Sequence, residues 1–358
     1  MIVLAGSVVL GGCADSVSGP EDRIVAGVNL TTLFAEPTQS EIAAVAAEWL
    51  QRDVTAQNVE EVRTANVTIG AVNATLRVVS HTVGGVKHYG AVLVPDGAQA
   101  GSLPIIMYGH GGDGGLSIEE TLGLLPFFLG DEIARSIFVA PSFRAEPLLF
   151  DGTTYLSEGP PSPWDRDVDD ALALLNVVIA TTPQANPDLI GLVGFSRGAG
   201  VALLMAERDP RIDIVVEFFG PTDFYGPFVQ QVFEEALLGA PRDLPGLDFL
   251  NAEYIQPLKL GQLTIAEARR EILRRSSVYY ADRLPQLQVH HGTNDQTVPV
   301  GEAERLIEVM VGLGRTAPEF EAYLYEGGEH NPLTLTGSIP RTRDFLVRLI
   351  GTTLAALQ

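Results

Sequence analysis

Positive charge is scarce in this chain. Lysine stands only at Lys87 and Lys259, and Lys plus Arg number 23 against 45 Asp plus Glu, a formal net charge of −22 over 358 residues. Such a balance repels nucleic-acid phosphates and anionic headgroups, so neither is expected as a partner. Cysteine is scarcer still. With Cys13 alone, the chain builds no internal disulfide and no CxxC metal or redox site. No segment approaches bilayer-spanning length free of charge. What is there is a chain 46% hydrophobic and only 19% charged, which excludes a disordered tail and is enough to bury one large core.

The lone cysteine closes an uncharged apolar run. Met1 to Gly12 ends in Leu10-Gly11-Gly12-Cys13, which resembles the lipobox cut by the lipoprotein signal peptidase, and the run is too short to span a bilayer. Residues 1–12 are therefore expected to be a signal peptide and 13–35 a polar tether. A lipidated Cys13 would hold the protein on a bacterial envelope membrane; without lipidation the same segment implies secretion.

Behind the tether, residues 36–100 carry a helical pattern (Ile42, Val45, Ala46, Trp49) followed by alternating strands, with turns at Gly70 and Gly84-Gly85. From Pro104 the pattern becomes short continuous apolar runs: Ile105 to Tyr108, Ile137 to Ala140, Ile190 to Val193, Ile212 to Phe219, Leu287 to His290 and Phe320 to Tyr325. Amphipathic helices separate most of them, which calls for a mostly parallel sheet covered on both faces, an α/β fold over residues 101–358. The stretch at about 224–284 has no strand candidate and reads as a helical cap inserted over the sheet. The segments Arg144 to Phe150 and Ser157 to Pro163 read as a long proline-stiffened loop.

The chemistry concentrates after one strand. Gly194-Phe195-Ser196-Arg197-Gly198 joins the run ending at Val193 to a helix, the strand–turn–helix setting of a nucleophile elbow, in which small flanking residues permit a sharp turn that lifts the serine hydroxyl clear of the sheet. A serine needs a base, and the base needs an orienting group. Of six histidines, His81 and His88 lie in the early strands, His110 precedes a sheet helix, and His290 and His291 finish a strand. In the chain order nucleophile, acid, histidine, the base falls to His330, in the loop Glu326 to His330. The acid is Asp295, after the strand ending at His290, with Asp223 in Gly220-Pro221-Thr222-Asp223 as a rival better suited to a turn. Oxyanion donors are expected at the N–H of Arg197 and in Tyr108-Gly109-His110-Gly111-Gly112, from Gly111 with His110 orienting or donating.

These motifs, with Trp164 to Asp170 and Ser277 to Asp282, resemble those of the α/β-hydrolases, in the broad group of the prolyl oligopeptidase catalytic domain, the dienelactone hydrolases and the acetyl xylan esterases. The resemblance runs from about Leu103 to the C-terminus. It implies a Ser196–Asp295–His330 triad, no cofactor and no metal, and a small-molecule ester or short-peptide substrate. Prolyl oligopeptidases often place a tyrosine where His110 stands and carry a β-propeller for which the N-terminal region is too short, so the expectation is an esterase, with a peptidase and a non-catalytic surface lipoprotein as alternatives. Among the cap aromatics, Phe224, Tyr225, Phe228, Phe233, Tyr254, Tyr279 and Tyr280 are candidates to wall a pocket, and Arg144 and Arg197 are candidates either to bind a substrate carboxylate or to pair with the chain's own acids.

Overall fold

The computed structural model describes residues 22–356, with side chains described through residue 349. Cys13, the expected signal peptide and the first part of the expected tether lie outside the described residues. Among the described residues, nine strands form one sheet: β1 (Gln57–Ile69), β2 (Val72–Val83), β3 (Val86–Pro95), β4 (Leu103–Gly109), β5 (Ile137–Pro141), β6 (Ala185–Phe195), β7 (Ile214–Phe218), β8 (Gln286–Gly292) and β9 (Phe320–Tyr325). Their spatial order is β9-β8-β7-β6-β4-β5-β3-β2-β1. The six strands from β9 to β5 run parallel, and β3, β2 and β1 continue the same sheet antiparallel. The N-terminal strands are thus part of the same sheet as the parallel strands. Val83 pairs with Val86 across Gly84 and Gly85, both at positive φ, as a two-residue hairpin loop requires.

The apolar runs became strands because they are buried on both faces. Ile105, Ile137, Val139, Leu192, Val215 and Leu287 face one core layer, and Ile106, Phe138, Val193, Val216 and Phe218 face the other. The first layer is covered by α1 (Gln39–Trp49), α3 (Arg166–Thr181), α4 (Arg197–Arg208) and α7 (Gly301–Gly312), the second by α2 (Ile118–Phe128) and α8 (Ser338–Ala356). Helix α1 starts where the sequence supplies a capping box, Thr38 bonding the Glu41 N–H and the Glu41 carboxylate bonding the Thr38 N–H. No helix of the described residues is long and apolar enough to cross a membrane.

Between β7 and β8 the chain forms α5 (Pro227–Leu237), several short helical turns and α6 (Ile265–Leu273), with no strand among the described residues of that stretch. This is the expected cap. Two expectations need correction. The tether does not extend to residue 35: Ile24–Val25 pairs with Val28–Asn29, and Leu30–Leu33 is a helical turn with Leu30 and Leu33 buried. Arg269 of α6 holds this segment by donating to the carbonyls of Thr32, Leu33 and Ala35, and Phe34 meets Phe233 edge to face at 5.4 Å. The segment is folded because its few apolar residues complete the cap's own core. The stretch after Arg144 is likewise no open loop, since Pro147–Phe150 and Thr153–Leu156 form a hairpin, joined by Leu116–Ser117.

If residues 24–35 are an integral part of the fold, Leu33→Ala should destabilise the protein by about 2–5 kcal/mol, the cost of emptying a fully buried leucine site. Urea denaturation measures this, and an unchanged midpoint would return the segment to the status of a tether.

Candidate active site

Strand β6 delivers Ser196 at the carboxyl edge of the sheet, and α4 leaves immediately behind it. Ser196 has φ 53° and ψ −121°, a conformation that costs a non-glycine residue about 1–3 kcal/mol and must be imposed by its surroundings. The surroundings are backbone. A Cβ on Gly198 would lie 2.2 Å from the Gly109 carbonyl and 2.6 Å from the His110 oxygen, and one on Gly194 would lie 2.3 Å from the Gly198 oxygen. Only glycine lets β4, β6 and the first turn of α4 approach so closely. The Ser196 N–H donates to the Phe218 carbonyl at 2.9 Å, tying the elbow to the end of β7.

Asp295 and His330 come together from the loops after β8 and β9. The Asp295 carboxylate is buried; its Oδ1 accepts the N–H groups of Thr297 and Val298, each at 2.9 Å, and its Oδ2 lies 2.7 Å from His330 Nδ1. This fixes the ring through Nδ1 and leaves Nε2 outside that contact. His330 packs against Phe219 at 4.3 Å between ring centroids and lines one cleft with Ser196. The neighbouring His291 is buried, its Nε2 faces the Val298 carbonyl at 2.8 Å, and burial pushes its pKa down. Asp223 is a turn residue: its Oδ1 accepts the Tyr225 N–H at 2.9 Å, and its own N–H donates to Glu302.

The glycine loop lies against Ser196. A Cβ on Gly111 would stand 3.2 Å from the Ser196 Cβ, which places this loop's backbone beside the serine. Arg197 is the first residue of α4, where backbone N–H groups lack intrahelical partners and point out of the helix end. The His110 side chain is elsewhere. It is buried, stacks on Phe143 at 4.3 Å, and its Nδ1 lies 3.1 Å from the Gly111 oxygen. Burial pushes its pKa down to about 4, so the ring is neutral near pH 7. It supports the loop and lines neither cavity at Ser196, so the expectation that it donates to an oxyanion gives way to the orienting role.

Beneath the elbow the Arg197 guanidinium is fully engaged. Its Nε and Nη2 donate to Asp167 Oδ2 at 3.0 and 2.7 Å, and its Nη1 pairs with Glu146 and reaches the Gly112 carbonyl at 3.3 Å. Burial raises the Glu146 carboxyl to about 7 against the pull of Arg197. Asp167 also accepts the Trp164 N–H at 3.1 Å. Arg144 grips Asp170 through two bonds at 2.9 and 2.6 Å. Both arginines therefore pair with the chain's own acids, and neither is left free to bind a substrate carboxylate. The motif from Trp164 to Asp170 is a row of anchors for the elbow and for its neighbours.

Two cavities meet at Ser196. The larger is an open cleft of about 450 Å³ shared with Gly111, Gly112, Phe219 and His330, and its outer lip is Leu124 and Phe127 of α2 with Leu333. The smaller, of about 40 Å³, runs under the cap between Trp164, Phe224, Phe228, Val229 and Val232. Of the cap aromatics expected to wall a pocket, Phe224 and Phe228 do so. Tyr225, Phe233 and Tyr280 pack into the cap and the core beneath it, and Tyr254 and Tyr279 pack against that core. The contribution of Leu124 and Phe127 was not anticipated, although their spacing of three on one helix was the available signal. Among the described residues no cluster of His, Cys, Asp and Glu has the arrangement of a metal site.

The chain is similar to solved structures of acetyl xylan esterase from Paenibacillus sp. R4 (TM-score 0.60, 16% identity, 91% of this chain and 99% of that one) and of acetyl xylan esterase 1 from Thermoanaerobacterium sp. JW/SL YS485 (TM-score 0.59, 16% identity, 90% and 99%). It is also similar to the rice cell wall degrading esterase LipA from Xanthomonas oryzae (TM-score 0.52, 13% identity, 84% and 99%). No family model and no curated protein matches the chain. At these identities the likeness concerns architecture, and the chain has the α/β-hydrolase fold.

Removing Asp167 would strand the Arg197 charge in the interior. Asp167→Ala should therefore cost about 3–5 kcal/mol in urea denaturation, with Asp167→Asn intermediate; a loss below about 0.5 kcal/mol, the level of an ordinary surface change, would contradict the anchoring role.

Proposed function

We propose that this protein is a serine hydrolase that cleaves carboxylic esters through an acyl-enzyme on Ser196. The observation that carries the reading is the 2.7 Å contact of His330 Nδ1 with the buried, N–H-anchored carboxylate of Asp295, in a cleft that His330 shares with Ser196. In this mechanism the Ser196 hydroxyl gives its proton to His330 Nε2 as its oxygen bonds the ester carbonyl carbon. Asp295 stabilises the imidazolium, and the N–H groups of Gly111 and Arg197 receive the carbonyl oxygen as it becomes an oxyanion. The bond to the alcohol oxygen then breaks and that oxygen takes the proton from His330. Water, deprotonated by the same nitrogen, releases the acid and restores the serine.

Ester cleavage is favoured over peptide cleavage by what lines the two cavities. Of Arg, Lys, Asp and Glu, only Arg197 lines them, and it is already paired with Asp167 and Glu146. The acidic pair on the cap is also engaged, Glu234 with Arg23 and Glu235 with Arg242. A peptide terminus would find no free counter-charge there. The lipobox-like Leu10 to Cys13 supports attachment of the enzyme to a bacterial envelope membrane, and labelled palmitate should enter the wild-type chain but not Cys13→Ser.

A fluorophosphonate should label the folded protein, and Ser196→Ala should lose the label and at least about 10³-fold of kcat/KM on p-nitrophenyl esters. Undiminished ester hydrolysis by Ser196→Ala would falsify the mechanism.

A further inference from the structure

The two cavities at Ser196 differ in one chemical respect. The open cleft contains His330 and Gly111, whereas the small pocket under the cap contains neither. A general acid must reach the atom it protonates, about 3 Å away. In acylation that atom is the alcohol oxygen, so the alcohol must leave on the side where His330 stands. The acyl chain then has the opposite side, under the cap. This assignment rests on the proposed mechanism and follows from the position of the proton donor.

Size and lining then define each half of the substrate. The acyl pocket, at about 40 Å³, holds about three water-sized groups, and its walls are Trp164, Phe224, Phe228, Val229 and Val232. That is room for an unbranched chain of about four carbons counting the carbonyl. The cleft, at about 450 Å³, is more than ten times larger, and its lip exposes Leu124 and Phe127, each at 47%, and Leu333 at 67%. Besides Ser196 and His330 the cleft's polar side chains are Tyr108, Thr297 and Asn331; hydroxyls of a sugar alcohol that press against the lip would lack partners, at a cost of the order of 1–3 kcal/mol for each group desolvated. A bulky apolar alcohol would bury the lip instead.

We infer that the substrates are short-chain acyl esters, centred on butanoyl, of bulky apolar alcohols, with the acyl group under the cap against Phe228 and Val232 and the alcohol in the cleft against Phe127 and Leu333.

The test measures kcat/KM on p-nitrophenyl esters from acetate to octanoate, and on cyclohexylmethyl butyrate against 6-O-butyrylglucose, two primary alcohols of similar intrinsic reactivity. The acyl series should peak at butyrate and fall at least about tenfold by octanoate, and the cyclohexylmethyl ester should be preferred by about tenfold or more. Phe228→Ala, at a half-buried position, should move the optimum to longer chains, and Val232→Phe should move it toward acetate, neither altering the alcohol preference. Phe127→Ser with Leu333→Ser should lower the alcohol preference and leave the acyl optimum in place. The assignment is overturned if the cap variants move the alcohol preference instead, if neither moves the acyl profile, or if the glucose ester is preferred. Fluorophosphonate labelling of Ser196, run on every variant, separates the two levels: labelled protein with a flat profile sinks only the pocket assignment. Unlabelled, folded protein that cleaves no ester sinks the hydrolase reading as well.

Discussion

The contact between the backbones of Gly198 and Gly109 governs the site. With no Cβ between them, the first turn of α4 rests directly on the end of β4, and Ser196 is forced into its positive φ. The same closeness sets the Gly111 backbone beside the serine, so one packing constraint places both groups on which the proposed mechanism depends, the serine hydroxyl and the backbone proposed to receive the oxyanion. The strain of about 1–3 kcal/mol at such a residue persists because the surrounding sheet holds it from three sides: β4 beneath, β6 before it and the Phe218 carbonyl of β7 alongside. Arg197 secures the arrangement from below, bonding Asp167 of α3, Glu146 of the hairpin region and the Gly112 carbonyl at once.

From that fixed point the molecule is asymmetric. On one side the loops after β8 and β9 bring Asp295 and His330 to an open, apolar-lipped cleft; on the other the cap leaves a pocket an order of magnitude smaller. Chemistry and specificity are therefore assigned to different parts of the chain. In the proposed reaction the sheet edge holds the reacting groups, and the cap and α2 shape what reaches them. Residues 24–35 belong to this second part, because they brace the cap through Arg269 and Phe233.

Much of this was legible in the sequence, and the limits have physical causes. Continuous apolar runs mark strands buried on both faces, and a serine between glycines at a strand–helix junction has few structural uses, so the sheet and Ser196 could be read directly. His330 followed from chain order and Asp295 from its place just after a strand end, and the loops carry the two to within 2.7 Å of each other. The segment holding Leu30, Leu33 and Phe34 read as a tether because its apolar residues are too few to form a periodic pattern, and their partners on the cap lie about two hundred residues away or more. The role of His110 was half read: its place in the loop follows from position, but the ring's direction depends on Phe143, which nothing local signals. The partners of the acids in α3 and the sizes of the two cavities are tertiary facts that no short window contains.

The most direct measurement is a crystal structure of the protein inactivated by a propylphosphonate ester, in which phosphorus stands for the carbonyl carbon of a butanoyl group and mimics the tetrahedral acylation step. The account predicts phosphorus bonded to Ser196 Oγ, the phosphoryl oxygen within about 2.7–3.1 Å of the Gly111 and Arg197 N–H groups, and the propyl chain under the cap between Phe228 and Val232. A phosphoryl oxygen turned away from those donors, or a propyl chain lying in the cleft beside His330, would contradict it.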